Sequence, residues 1–248
     1  MRRLLPLPVE SDLGVDELAA HYAYPDAADA ATVRANMVSS VDGAIAVDGR
    51  AKPLSGQDDW YLFGLQRALA DAILVGAGTA RAEGYGAGRA RLEFAHLRKQ
   101  SGQPDAPTLV LVTRSGNLDP DADYLGGSSR AIVITCASGR DNLGAVSDRA
   151  DLIVAGNDAV DLRAAFGELH DRGHRRLLSE GGPHLLGSLL DAGLIDEMVT
   201  TLSPLLAGGN SGRMVAGAST ELHDLSLAGV LESEGALFLH YRRKAAPR

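Results

Sequence analysis

The 248-residue chain has one cysteine, Cys136. A lone cysteine excludes an internal disulfide and a cysteine-based zinc cluster. It ends the apolar run Ala131-Ile132-Val133-Ile134-Thr135 and reads as a small buried strand residue. No stretch approaches the ~20 apolar residues of a membrane span. The basic N-terminus is broken by Pro6 and Pro8, so it lacks the continuous apolar core of a secretion signal. The chain is therefore expected in the cytoplasm, with no membrane partner. Positive charge is in deficit, with 24 Lys and Arg against 32 Asp and Glu, a net charge of −8 and a pI near 5.3. No basic stripe offers itself to nucleic acid. Gly-x-Ser-x-Gly, Walker and His-Glu-x-x-His sequences are all missing, so hydrolase and kinase readings have no anchor. His170 and His174 have metal-ligand helical spacing, but Gly173 lies between them and no third ligand stands near. No metal is expected.

What is present is a hydrophobic fraction of 45 % and a charged fraction of 23 %, ordinary for a globular protein. Residues 1–31 are rich in Pro, Ala and Asp and read as an irregular entry segment; residues 32–248 read as one domain, with no repeat or linker. Short apolar runs alternate with helical patterns. Strands are expected at 33–40, 44–47, 72–75, 108–112, 131–135, 151–155 and 197–202, with three closing strands at 222–227, 230–233 and 237–241. Asp42-Gly43 and Asp48-Gly49 signal turns. Ser55-Gly56-Gln57-Asp58 reads as a capping box opening a helix to about Ala70. Leu143–Ala150 and Leu162–Arg172 are further helical candidates, and 84–106 reads as a long glycine-rich loop. The pattern predicts a three-layer α/β domain around a mixed, mostly parallel sheet.

Chemistry concentrates at strand ends. Leu178-Ser179-Glu180-Gly181-Gly182-Pro183 closes an apolar strand and opens a helix. Glycine lets backbone approach a ligand closely, a helix start offers free N–H groups to phosphate, and proline suits the first helical position. Gly76-Ala77-Gly78-Thr79 makes a second glycine turn, but Arg81 stands where a dinucleotide fingerprint needs its third glycine. Two such turns could grip the two halves of one dinucleotide. Thr113-Arg114-Ser115 ends a third strand, and a guanidinium beside two hydroxyls suits a phosphate monoester, such as the 2′-phosphate of NADPH; an ordinary polar strand-to-turn transition is the alternative.

Three blocks in order carry a resemblance: Ser40-Val41-Asp42-Gly43, then Asp71 to Thr79, then Leu178 to Leu186, continuing through Gly193-Leu194-Ile195-Asp196-Glu197 to Ser203–Gly209. Together they resemble the pyrimidine reductase family of riboflavin biosynthesis over roughly residues 32–241. The resemblance implies a dihydrofolate-reductase-like fold, NADPH as cofactor and a homodimer. It implies a reaction like that of 5-amino-6-(5-phosphoribosylamino)uracil reductase: hydride transfer to a ribosyl Schiff-base carbon of a small phosphorylated substrate. It further implies that Thr79, Glu83 and the turn Ser179, Gly181, Gly182, Pro183 contact NADPH; the strand-end pattern adds Gly76, Gly78, Thr113, Arg114 and Ser115 as cofactor candidates. Ser40, Asp42 and Glu180 would lie near the substrate, with Trp60 beside them, and Glu83 or Glu180 would supply the proton. No deaminase domain is expected ahead of the reductase.

The chain departs from the family at two places. Asn36 replaces a usual lysine on the first strand, and Glu83-Gly84-Tyr85-Gly86 replaces an Asp-[Asp/Asn]-Pro segment that helps hold the substrate phosphate. Arg89 and Arg91 are the candidate substitutes. Two rivals stay open: a dihydrofolate or dihydropterin reductase of the same fold, and a non-catalytic nucleotide-binding paralogue.

Overall fold

The computed structural model describes residues 1–25, 30–127 and 129–244. Residues 26–29 of the entry segment and 245–248 of the expected domain lie outside that description. The chain begins with β1 (Arg2–Leu5), α1 (Val15–His21) and β2 (Thr32–Ser40). Then come α2 (Gln57–Leu69), β3 (Ala72–Gly76), α3 (Ala77–Glu83), α4 (Ala95–Gln100), β4 (Thr108–Val112), β5 (Ile132–Thr135), α5 (Ala137–Arg140), α6 (Val146–Arg149) and β6 (Asp151–Val154). The last third carries α7 (Leu162–Asp171), β7 (Arg176–Ser179), α8 (Pro183–Asp191), β8 (Glu197–Ser203), β9 (Leu225–Ser233) and β10 (Ala236–Arg243).

The strands join one sheet in the order β1-β9-β10-β8-β2-β7-β3-β4-β5-β6. From β8 to β6 every pairing is parallel. The other edge, β8-β10-β9-β1, is antiparallel. The mixed, mostly parallel sheet expected from the sequence is thus the sheet found. Its central strands β3 and β5 are buried on both faces, as parallel strands between helix layers must be. On one face Leu74, Val110 and Ile134 pack against Phe166 and Leu169 of α7 and Leu186 and Leu189 of α8. The opposite face is covered near β3–β5 by Ala80 of α3 and Val146 of α6. Near β8 and β10 it is covered by Leu18 of α1, by Tyr22 just after it, and by Leu62 and Leu65 of α2.

Several local expectations are corrected. The entry segment is not irregular, since β1 pairs with β9 and α1 packs into the core. Ala44–Val47 is no strand. Only a tight turn forms there, where Asp48 (φ 49°) and Gly49 (φ 77°) close a two-residue loop between Val47 and Arg50. The capping box does not form: Gly56 is the N-cap of α2 and no side chain caps it. The 84–106 stretch is only partly loop, because the buried Phe94 nucleates a 3₁₀ turn (Leu92–Phe94) leading into α4. Only Val146–Arg149 of the 143–150 candidate is helical. The tail has two strands rather than three, because the expected 222–227 and 230–233 runs join into one strand, β9, which pairs with β10 along its length through a register shift at His240/Tyr241; Glu234 and Gly235, both at positive φ, make the turn between β9 and β10.

Candidate active site

The carboxyl ends of β2, β7, β3 and β4 stand side by side in the sheet. They set Glu180, Gly76 and Thr113 in a row close to one level, the edge where open α/β sheets hold ligands, while Ser40 stands farther out, where β2 runs on past the end of β7. The two glycine turns meet in this row. Gly76 N–H donates to Gly181 carbonyl oxygen at 2.8 Å, and Glu180 N–H to Leu74 carbonyl oxygen at 2.9 Å. Gly181 has φ 79° and lies on Met37, a backbone position that favours glycine. A Cβ on Gly182 would collide with the Thr79 hydroxyl, while Gly78 faces open space. Pro183 opens the nine-residue α8, whose first N–H groups lack intrahelical acceptors. The bare backbone and helix start fit a phosphate-bearing cofactor.

Glu180 is the best-held side chain of the site. It is 2 % exposed. Arg67 grips it bidentately, Nε to Oε1 and Nη2 to Oε2, both at 2.7 Å. The Tyr85 hydroxyl also donates to Oε2 at 2.7 Å. Burial pulls Arg67 down, but the Glu180 carboxylate outweighs it and holds the guanidinium above its ordinary pKa. Burial, then the Glu180 charge, pushes the Tyr85 phenol well up. Three donors on one carboxylate make Glu180 an acceptor, which argues against the expected proton-donor role. Ala35 pairs with Ser179, so continuing that register by one residue sets Asn36 beside Glu180.

Trp60, Arg89 and Arg91 come together in a cleft of about 620 Å³, with Phe63, Gly64 and Arg67. The α2 wall presents residues 60, 63, 64 and 67, one stripe of a helix. Arg67 stacks on the Phe63 ring at 4.3 Å. Gly64 leaves a notch for Arg91, whose Nε would lie 2.9 Å from a Cβ at that position. Ser40 and Asp42 do not line this cleft. Ser40 hydroxyl donates to Asp42 Oδ1 at 2.5 Å, and Asp42 accepts the N–H groups of Ala207 (3.1 Å) and Gly208 (2.7 Å). The Ser40 hydroxyl, then the Gly208 and Ala207 N–H groups, hold the Asp42 pKa down at about 2. In this arrangement Asp42 pins the 204–208 loop to the end of β2. Glu83, at the end of α3, accepts Ala51 N–H at 2.9 Å. The Thr113 hydroxyl accepts Gly116 N–H at 3.1 Å, and the Ser115 hydroxyl accepts Asn117 N–H at 3.3 Å. Arg114 is exposed and forms no ion pair among the described residues.

Arg67, Tyr85, Phe63 and Gly64 escaped the sequence reading. The 60-63-64-67 spacing was the available signal. It was masked because Leu62, Leu65 and Leu69 supply a competing apolar stripe.

Residues 31–235 match the family model of the RibD C-terminal domain. Over 176 residues the chain is 30 % identical to a 2,5-diamino-6-ribosylamino-4(3H)-pyrimidinone 5′-phosphate reductase from Archaeoglobus fulgidus, covering 70 % of this chain and 80 % of that protein. A protein of the same name from Methanothermobacter thermautotrophicus is 29 % identical over 179 residues, covering 72 % and 80 %. A solved pyrimidine reductase-like protein from Corynebacterium diphtheriae has a TM-score of 0.76 at 26 % identity, with 87 % of this chain and 93 % of that one covered. The riboflavin biosynthesis reductase Rib7 of Saccharomyces cerevisiae shares the fold at a TM-score of 0.68 and 16 % identity, with 93 % and 99 % covered. The homologues are pyrimidine reductases of riboflavin biosynthesis, and a reductase family of this kind implies a nicotinamide cofactor.

Proposed function

The chain belongs to the RibD C-terminal domain family, and from that premise we propose that it is an NADPH-dependent reductase of a 5′-phosphorylated ribosylaminopyrimidine. The reaction would add a hydride to the ribosyl carbon and a proton to the attached nitrogen, leaving a ribityl chain. NADPH supplies the hydride when bound. The protein's part is position and electrostatics. The observation that carries the reading is the meeting of two glycine turns beside an arginine-and-aromatic cleft.

The backbone of Gly181, Gly182 and the α8 start would hold the cofactor phosphates, with Gly76, Gly78 and Thr79 opposite. Arg114, next along the row, would take the 2′-phosphate, flanked by Thr113 and Ser115. In the cleft, Trp60 and Phe63 offer flat apolar faces to a pyrimidine. Arg89 and Arg91 offer charge to its 5′-phosphate. Glu180, with both oxygens held by Arg67 and Tyr85, would fix those two side chains and leave Asn36 beside it to meet the substrate, while Ser40 and Asp42 shape the neighbouring wall. Glu83 is the carboxylate left to relay a proton from water, since its second oxygen takes no hydrogen bond among the described residues.

The pterin rival needs a carboxylate free to meet an amidine edge. Glu180 has both oxygens engaged by Arg67 and Tyr85, which favours the pyrimidine. We take residues 32–248 as the reductase unit, with β1 and α1 built onto it, working in the cytoplasm as a homodimer. No helix among the described residues is long and apolar enough to cross a membrane. Cofactor oxidation should be measured with the phosphorylated ribosylaminopyrimidine, with dihydrofolate and with neither. Consumption with the first alone is expected; faster consumption with dihydrofolate would move the assignment to the rival.

A further inference from the structure

The segment that departs from the family pattern is the one that closes the cleft. After α3 the chain turns through Gly84 (φ 67°), and Tyr85 N–H returns to Ala80 carbonyl oxygen at 2.9 Å. The Tyr85 ring then reaches inward. Its hydroxyl donates to Glu180 Oε2 at 2.7 Å, on a carboxylate already clamped by Arg67. Beyond Tyr85 the backbone runs without regular structure to Arg91, passing Arg89 and seating Arg91 over Gly64. Arg89 makes no ion pair among the described residues, and Arg91 only an exposed one, to Glu93 at 3.3 Å. Among the described residues, the one inward polar side-chain bond of the segment 85–91 is that from Tyr85. A neutral donor on a buried carboxylate is a strong hydrogen bond, and burial keeps this phenol protonated.

Resting on the reading above, we propose that Tyr85 is a positioning residue: its hydroxyl latches the arginine-bearing segment 86–91 to Glu180. The latch holds Arg89 and Arg91 at the mouth of the cleft, facing the 5′-phosphate of the substrate. A tyrosine reaching in from the loop thus anchors the substitute arginines.

Tyr85→Phe keeps the ring and removes only the hydroxyl. Limited trypsin cleavage after the exposed Arg89 and Arg91 of the free enzyme should then speed up, with the circular dichroism of the fold unchanged. KM for the phosphorylated ribosylaminopyrimidine should rise about tenfold, the scale of one hydrogen bond to a charged group. NADPH affinity and kcat should stay within about twofold, the pattern of lost uniform binding. In an Arg89→Ala/Arg91→Ala background the same change should add nothing to KM, because the latch acts through those two side chains. An unchanged KM and an unchanged cleavage rate in Tyr85→Phe would overturn the proposal, as would a full tenfold rise in the arginine-less background. If the wild-type enzyme does not turn over this substrate, the functional reading fails; the cleavage measurement, which needs no substrate, still decides the latch.

Discussion

Glu180 illustrates what a single position reveals and conceals. Its place at the end of an apolar strand, before two glycines, marks it in the sequence as a site carboxylate. Its partners are invisible there, because Arg67 and Tyr85 lie 113 and 95 residues away and meet it only once α2 and the α3 loop fold over β7. The glycines are clearer, since a positive φ at 181 and the Thr79 contact at 182 leave room for nothing larger. Gly182→Ala should weaken NADPH binding at least about tenfold, measured by fluorescence titration, because the new methyl must displace Thr79. Arg114 makes a sharper claim. Arg114→Ala should cut the preference for NADPH over NADH about tenfold or more, the worth of one charged phosphate contact. Equal loss for both cofactors in the same titration would remove Arg114 from the 2′-phosphate.

At the scale of elements, the parallel strands were legible because they are short, apolar and bounded by glycine or polar residues. The entry helix was not, because its amphipathic face, Leu18 and Tyr22, is too short to give a period. What secures α1 is a buried polar knot. Arg34 on β2 donates to Glu197 on β8 through Nε at 2.7 Å, and to Tyr22 carbonyl oxygen and Gln66 Oε1 at 2.8 and 2.7 Å. Arg242 of β10 donates to the same carboxylate at 3.1 Å, with His240 3.5 Å away. Removing one member of such a pair leaves a buried charge unmatched. Glu197→Ala should therefore cost about 3–5 kcal/mol in denaturant unfolding.

The knot also sets an acid limit. Burial pushes the Glu197 carboxyl up, but His240 and Arg34 prevail and hold it at about 2, below its ordinary 4.5. Its stabilisation is complete above the ordinary value and fades as pH falls toward 2. His21 adds an earlier step. Burial, then His240, Arg3, Arg34 and Arg242, lower it from 6.5 to about 4. The unfolded chain takes up that proton below about 6.5 while the folded chain refuses it, so stability falls from there to about 4. Thermal melts from pH 7 to 4 should show a declining Tm, with a shallower decline in His21→Gln. An identical slope in the variant would rule His21 out as the source.

For the molecule as a whole, the sheet is clad unevenly. Leu225 and Leu227 are 40 % and 44 % exposed at the antiparallel edge. Half-buried Leu237, Leu239 and Tyr241 share that face with Leu202, Thr200 and Met198 through the β10–β8 register. An open apolar sheet face of this kind is the surface on which the proposed homodimer would form. Leu227→Arg should turn a dimer into a monomer by analytical ultracentrifugation; a wild-type monomer would end the dimer proposal. The sequence could announce strands here but not their cladding, because which face stays open depends on where distant helices pack.

The reaction itself is read from its product. The enzyme should be incubated with NADPH and the phosphorylated ribosylaminopyrimidine, and the pyrimidine then examined by mass spectrometry. The expected product is heavier by two hydrogens, its ribosyl ring opened to ribityl, in equal amount to the NADPH consumed. Recovery of unaltered pyrimidine, with NADPH bound but not oxidised, would contradict that reaction.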